Sequence, residues 1–206
     1  MMNKDHICFD IGNVLCNVDF SFFIKKLSKS INISIEDVNY FLDRTQKLHD
    51  LGLTDIRSEL SDHLKIKSSP IVDDLIVEWN KTVTAHTFMI STLNDLIKNN
   101  IKIALLSNIG TEHAALMRNI LTPDIYDNSI KFFSCFLGAR KPTHLYYKTF
   151  LDMYSNFRGS IYLDDRAENV EAGREFGFKS QHFALDSFGS MSELSDRVAQ
   201  IKNSMK

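Results

Sequence analysis

Four short stretches carry side chains that could do chemistry together: Asp10 in FDIGNVL, Ser107 and Asn108 in LLSNI, Lys141 in GARKP, and Asp164 with Asp165 in IYLDDR. Carboxylates gathered at one point repel each other unless a cation sits among them, and hard oxygen ligands of this kind suit Mg²⁺. A hydroxyl and a lysine beside them would hold the oxygens of a phosphoryl group and neutralise its charge. With that charge masked, a carboxylate can attack phosphorus and form an aspartyl-phosphate. The set is a phosphoryl-transfer inventory if the fold brings it to one place.

Taken singly, each residue has an ordinary explanation. An aspartate after a strand is commonly a turn or helix-cap residue, and Ser-Asn is a common loop signal. The acidic pair is not special by itself, because Asp73-Asp74 recurs inside IVDDLIVEWN, where a solvated helix face is expected. Lys141 before Pro142 alone reads as a surface lysine.

The surrounding elements change that weighing. His6 to Asp10, Ile101 to Leu106, Lys131 to Phe136 and Ser160 to Leu163 are short apolar runs, most ending at small polar residues, and Lys179 to Phe183 is a weaker fifth. Helical patterns lie between and after them, over Phe88 to Asn99, Thr111 to Asn119, His144 to Tyr154, Ala167 to Phe176 and Ser190 to Lys202. Alternating strands and helices predict an α/β fold, a Rossmann-like parallel sheet with helices on both faces. Such sheets bind ligands beyond the carboxyl ends of their strands. Asp10, Ser107-Asn108, Lys141 and Asp164-Asp165 all fall there or in the loop just beyond.

Residues 20 to 86 break the alternation, with no convincing strand and several amphipathic helices. Ser34 with Asp37 resembles a capping box before Val38, Phe41, Leu42 and Leu48. Leu51-Gly52-Leu53-Thr54 is expected to stop that helix and cap the next, which carries Ile56, Leu60 and Leu64. Pro70 can start a further helix through Trp79. The chain is therefore divided into an α/β core of residues 1–19 and 87–206 and a small all-helical cap of residues 20–86.

In order and context, FDIGNVL, LLSNI, GARKP and IYLDDRAENVEAGREFGF resemble the four motifs of the haloacid dehalogenase-like (HAD) superfamily, and the helical insert sits where that superfamily carries a cap after the nucleophile. Within it, FDIGNV, SNIGTEH and DDRAENV are similar to a subgroup that includes bacterial phosphatases of small sugar phosphates such as glucose 1-phosphate. The resemblance implies that Asp10 is the nucleophile and a Mg²⁺ ligand, with the Gly12 backbone carbonyl and Asp165 as further ligands. Asp164 would reach the metal directly or through water. Ser107 and Asn108 would bind the phosphoryl group, Lys141 would neutralise it, and Asn169 would brace the acidic loop. His113 matches a histidine of the subgroup but is expected on a helix surface.

Gly12 departs from the wider pattern. Many superfamily phosphatases place there an aspartate that serves as acid and then base, a function typically worth about 10²–10⁴-fold in rate. Its absence leaves three readings: a substrate whose leaving group needs no strong acid, a substitute group such as Asp19, or a weak member that binds a phosphorylated ligand. Dehalogenation of 2-haloacids, which needs no metal, is a further alternative that Asp164-Asp165 argues against.

The 206 residues can bury a sizeable core, and with 44% hydrophobic and 24% charged residues neither disorder nor a fibrous repeat fits. A formal net charge of −2 leaves no footprint for nucleic acid or an anionic membrane. Cys8, Cys16 and Cys135 read as buried thiols of a reducing compartment. Without a signal-peptide pattern or membrane-length apolar run, a cytoplasmic protein is expected, monomer or homodimer, acting on a small phosphorylated metabolite. Lys25, Lys26 and Lys29 could attract an anionic substrate or simply be solvated.

Overall fold

The computed structural model describes residues 5–62, 65–66 and 69–205. Five parallel strands form the central sheet: β1 (His6–Phe9), β4 (Lys102–Ser107), β5 (Ser129–Phe133), β6 (Ile161–Asp164) and β7 (Lys179–His182), in the order β5-β4-β1-β6-β7. β1 sits in the middle, and Phe9 is level with Leu105 of β4 and Leu163 of β6. The polar residues that follow these three positions therefore leave the sheet at a common edge.

Side chains alternate across the sheet with a period of two. Ile7, Phe9, Ile103, Leu105, Ile161 and Leu163 face one side, where they meet α5 (Thr87–Lys98), α6 (Thr111–Ile120), α7 (Pro123–Asp127) and α11 (Met191–Ser204). Cys8, Ala104, Leu106 and Tyr162 face the other, under α9 (His144–Met153) and α10 (Ala167–Glu175). The small Cys8 and Ala104 leave room that Tyr146, Tyr147 and Phe150 of α9 fill. Burying each such ring contributes about 1.5–3 kcal/mol. Gly173 allows α10 to lie directly on the sheet, since a Cβ there would collide with Ser180 Oγ and press on the Tyr162 ring.

Between β2 (Cys16–Val18) and β3 (Val83–Ala85) the chain forms α1 (Ser21–Ile31), α2 (Ile35–Asp50), α3 (Ile56–Asp62) and α4 (Ser69–Asn80). These helices gather around Phe23, Leu27, Val38, Phe41, Ile56, Leu60, Leu75 and Trp79, a cluster separate from the two that flank the sheet. The Ser34 hydroxyl accepts from the Asp37 backbone N–H at the start of α2, and Gly52, at φ +67°, ends that segment. A Cβ on Gly52 would collide with the carbonyl oxygen of Cys135, which follows β5 in α8 (Ser134–Leu137), so the turn docks the helical unit on the sheet domain.

Several expectations need correction. The third apolar run is β5 only to Phe133; Ser134 to Phe136 turn into α8, because a continuous apolar run does not distinguish a strand from a short helical turn. β3 is a strand inside the stretch read as wholly helical; three residues paired antiparallel with β2 are too short to show a period. Leu48 is exposed on α2, and Asp55, not Thr54, caps α3 by accepting from the Ser58 N–H. Leu64 lies outside the described residues.

Candidate active site

Each strand end delivers its residue by simple continuation. Asp10 follows β1 and its backbone N–H still bonds to the Leu163 carbonyl. Ser107 closes β4, Asp164 closes β6, and Lys141 enters from the loop after α8 through a cis Lys141-Pro142 peptide. Asp10, Ser107, Lys141 and Asp164 are all buried.

Lys141 is the hub. Its ammonium donates to Asp164 Oδ2 at 2.6 Å and to the Leu106 carbonyl at 2.6 Å, and lies 3.0 Å from Asp10 Oδ1. Burial works against its charge, but Asp10 and Asp164 outweigh that and hold its pKa above the ordinary lysine value. The Lys141 backbone is fixed by Asn108, whose side-chain Oδ1 accepts from Lys141 N–H at 2.8 Å and whose Nδ2 donates to the Lys141 carbonyl at 2.9 Å. Asn108, expected to bind the phosphoryl group, thus has both ends of its amide committed to holding the lysine.

The acidic pair divides its work. Asp164 Oδ1 accepts from Arg166 N–H and Asn169 Nδ2, each at 2.9 Å, and Oδ2 accepts from Lys141 and the Tyr162 hydroxyl. Burial pushes its pKa up, but those bonds, Lys141 foremost, bring it below the ordinary value. Asp165, one residue on, faces the cleft instead. Burial and the charge of Asp164 push its pKa up.

Oxygens of Asp10, Asp164 and Asp165 lie within 4.8 Å of one another. Burial raises the Asp10 pKa to about 7 against the pull of Lys141, with Asp164 and Asp165 adding to the rise. Lys141 is the cation in direct contact with this group, and it touches Asp10 and Asp164. The set therefore fits a hard divalent cation, which would relieve the repulsion that Lys141 leaves uncompensated.

Asn13 is a contributor that the sequence reading missed. It adopts φ +51°, a left-handed conformation that asparagine tolerates better than other non-glycine residues. Its side chain works against the rise of the Asp165 pKa, and its Oδ1 accepts from the Asp186 N–H at 3.2 Å. The available signal was an asparagine directly after glycine at a strand end.

His113 is buried, not on the surface. Its Nε2 lies 3.0 Å from the Trp79 carbonyl and 3.2 Å from Thr82 Oγ1, and its ring stacks on Trp79 at a 5.1 Å centroid separation. This ties α6 to the end of α4. Arg140, beside the hub lysine, pairs with Asp50 at the end of α2 at 2.8 Å. Asp19, considered as a substitute acid, is exposed and its carboxylate accepts from the Ser21 N–H at the start of α1; its neighbours Val18 and Phe20 line the cleft. Lys26 pairs with Asp74 and Glu78.

No protein-family model matches the chain, and a search of the curated proteins finds no match. Solved structures do match over nearly its whole length. A HAD family enzyme from Bacteroides thetaiotaomicron has a TM-score of 0.77 at 20% identity, covering 93% of this chain and 98% of its own. The fold is that of the HAD-like enzymes. A wild-type structure of the same Bacteroides enzyme in complex with magnesium and inorganic phosphate gives 0.76 at 18% identity, covering 92% and 98%. A predicted HAD-like family hydrolase from Porphyromonas gingivalis gives 0.70 at 18%, covering 94% and 97%. The L-2-haloacid dehalogenase from Xanthobacter autotrophicus, with chloropropionic acid covalently bound, gives 0.61 at 16%, covering 97% of this chain and 83% of its own. The HAD-like fold places β1 at the centre of the sheet, with Asp10 at its carboxyl end facing the helical unit.

Proposed function

We propose that this chain is a Mg²⁺-dependent phosphatase that hydrolyses a small organic phosphomonoester, such as a sugar phosphate, through an aspartyl-phosphate. The observation that carries the reading is the convergence of Asp10, Asp164 and Asp165 around a single buried Lys141. The magnesium and phosphate bound by the Bacteroides enzyme of the same fold add support.

Asp10, Asp165 and the Gly12 backbone carbonyl would hold the metal, with Asp164 fixed beside them by its own bonds. When bound, Mg²⁺ would offset carboxylate repulsion and draw charge from the phosphoryl oxygens. Asp10 then attacks phosphorus, the bond to the ester oxygen breaks, and that oxygen takes a proton from solvent water and leaves as the alcohol of the organic group. Lys141, and Ser107 through its hydroxyl, stabilise the negative charge on the transferring group. Water then attacks the phosphorus of the aspartyl-phosphate, releasing phosphate and restoring the Asp10 carboxylate.

A second reading is dehalogenase-type hydrolysis, favoured by the likeness to the Xanthobacter enzyme and by Gly12, which withholds an acid that halide departure does not need. A third, a weak member that binds a phospho-ligand, rests on Gly12 alone. The test is phosphate release across a panel of sugar phosphates, nucleoside monophosphates and an aryl phosphate, with Mg²⁺ and with excess EDTA. Mg²⁺-dependent release supports the phosphatase. Halide release from 2-chloropropionate that survives EDTA would favour the dehalogenase, and binding without turnover the third reading.

A further inference from the structure

The helical unit meets the sheet domain beside the loop that carries Lys141. α2 ends at Asp50, residues 51–55 form a turn, and α3 begins at Ile56. Three contacts seat this stretch. Asp50 Oδ2 lies 2.8 Å from a guanidinium nitrogen of Arg140. The Gly52 backbone packs against the Cys135 carbonyl with no room for a Cβ. At the far end, the Glu112 carboxylate on α6 accepts from the Ile56 N–H.

The ion pair is the contact that reaches the reactive lysine. Arg140 directly precedes Lys141, and its carbonyl accepts from the Thr143 N–H at 2.9 Å, closing the turn on which the lysine sits. Asp50 is 5% exposed and the Arg140 side chain 17%.

Stability does not account for this pair. Burial raises the Asp50 pKa despite the pull of Arg140, then Arg166 and Lys141, so desolvation outweighs the attraction. Arg140 Nε, moreover, has no hydrogen-bond partner among the described residues. A buried ion pair with unmet bonds adds little net stability, and its best-attested use is to fix one packing register over others. Here the register is that of the α2–α3 turn on the loop of Lys141.

Lys141 is thereby held from two directions. Asn108 bonds its backbone N–H and carbonyl, and Arg140 ties the preceding residue to the helical unit. Its ammonium stands 3.0 Å from Asp10 and 2.6 Å from Asp164. A displacement of about 1 Å at such a place can cost on the order of 100-fold in rate.

Resting on the phosphatase reading for its effect on rate, we infer that Asp50 and Arg140 are positioning residues, which set Lys141 in its working place only while the α2–α3 turn is docked on the sheet domain. Asp50 also lines the cavity above the carboxylates, so the test must separate positioning from direct contact with substrate.

The experiment compares the wild type, Asp50→Asn, Arg140→Gln and the double variant in two ways. One is kcat and KM for p-nitrophenyl phosphate with Mg²⁺; the other is hydrogen exchange at the Lys141 N–H, read by NMR. Each single variant should lower kcat roughly tenfold or more with little change in KM, and should speed exchange at Lys141. The double variant should be no worse than the poorer single variant, because the two residues act as one unit. An unchanged kcat in both folded single variants overturns the inference, whatever happens to Tm. So does a loss confined to Asp50→Asn, which would place Asp50 on the substrate, and so do losses that multiply in the double variant. If the wild type hydrolyses no phosphate ester, the phosphatase reading fails and exchange alone decides. Faster exchange at Lys141 in both single variants then supports the positioning role, and unchanged exchange overturns it. The double variant buries no unpaired charge, so it provides both readouts should a single variant fail to fold.

Discussion

Asp164 Oδ2 sits 2.6 Å from Lys141 Nζ, with both side chains fully buried. One short contact thus links the end of β6 to the loop beyond α8 and holds the lysine at 3.0 Å from Asp10. Removing one partner of such a pair leaves an uncompensated buried charge. Lys141→Ala is therefore expected to lose about 3–5 kcal/mol of stability, read by urea denaturation, along with phosphatase activity. A loss under 1 kcal/mol would mean that the carboxylates do not depend on the lysine.

Asn108 acts through its two bonds to the Lys141 backbone. Asn108→Ala should destabilise the protein by roughly 1–3 kcal/mol, since it leaves that backbone unsatisfied, and should lower kcat through misplacement of Lys141. Asn108→Asp keeps an acceptor for the Lys141 N–H but loses the donor to its carbonyl, and should fall between. Equal kinetics for all three proteins would remove Asn108 from the positioning of the lysine.

The raised pKa of Asp10 gives a signed dependence on pH. Between its ordinary value of 3.8 and its folded value of about 7, the folded state retains a proton that the unfolded chain has lost. Stability from this group is therefore highest at low pH, declines across that window, and is constant above it. In a chelator, the Tm of Asp10→Asn minus that of the wild type should widen from pH 4 to 7 and then level off. Saturating Mg²⁺ should narrow the gap by stabilising the wild type. A gap that does not vary with pH would show that Asp10 is not strained by its surroundings.

Gly12 bears on the leaving group. Its φ lies outside the left-handed region, and an added Cβ would meet only Val18 Cγ2, at 3.4 Å. Gly12→Asp should fold and supply an acid, raising kcat for an alkyl phosphate by about tenfold or more relative to p-nitrophenyl phosphate, whose leaving group needs little help. An unchanged ratio would show that position 12 does not reach the ester oxygen.

How much of this was legible in the sequence depended on the range of the forces involved. Asp10, Ser107 and Asp164 could be placed because each ends a short, nearly continuous apolar run, which is a local property of the sequence. The bonds that fix Asp164 could not, since the resemblance separated the pair only by metal contact and the lysine that holds Asp164 comes from a different loop. His113 was misread because its burial comes from Trp79 and Thr82 across the contact between α6 and the helical unit.

The central claim is that Asp10 carries the phosphoryl group. Rapid acid quench of the wild type turning over p-nitrophenyl phosphate in Mg²⁺, followed by peptide mass spectrometry, should find a phosphoryl adduct on Asp10. Folded Asp10→Asn should show neither adduct nor phosphate release. Undiminished phosphate release by Asp10→Asn, or an adduct on another residue, would contradict the account.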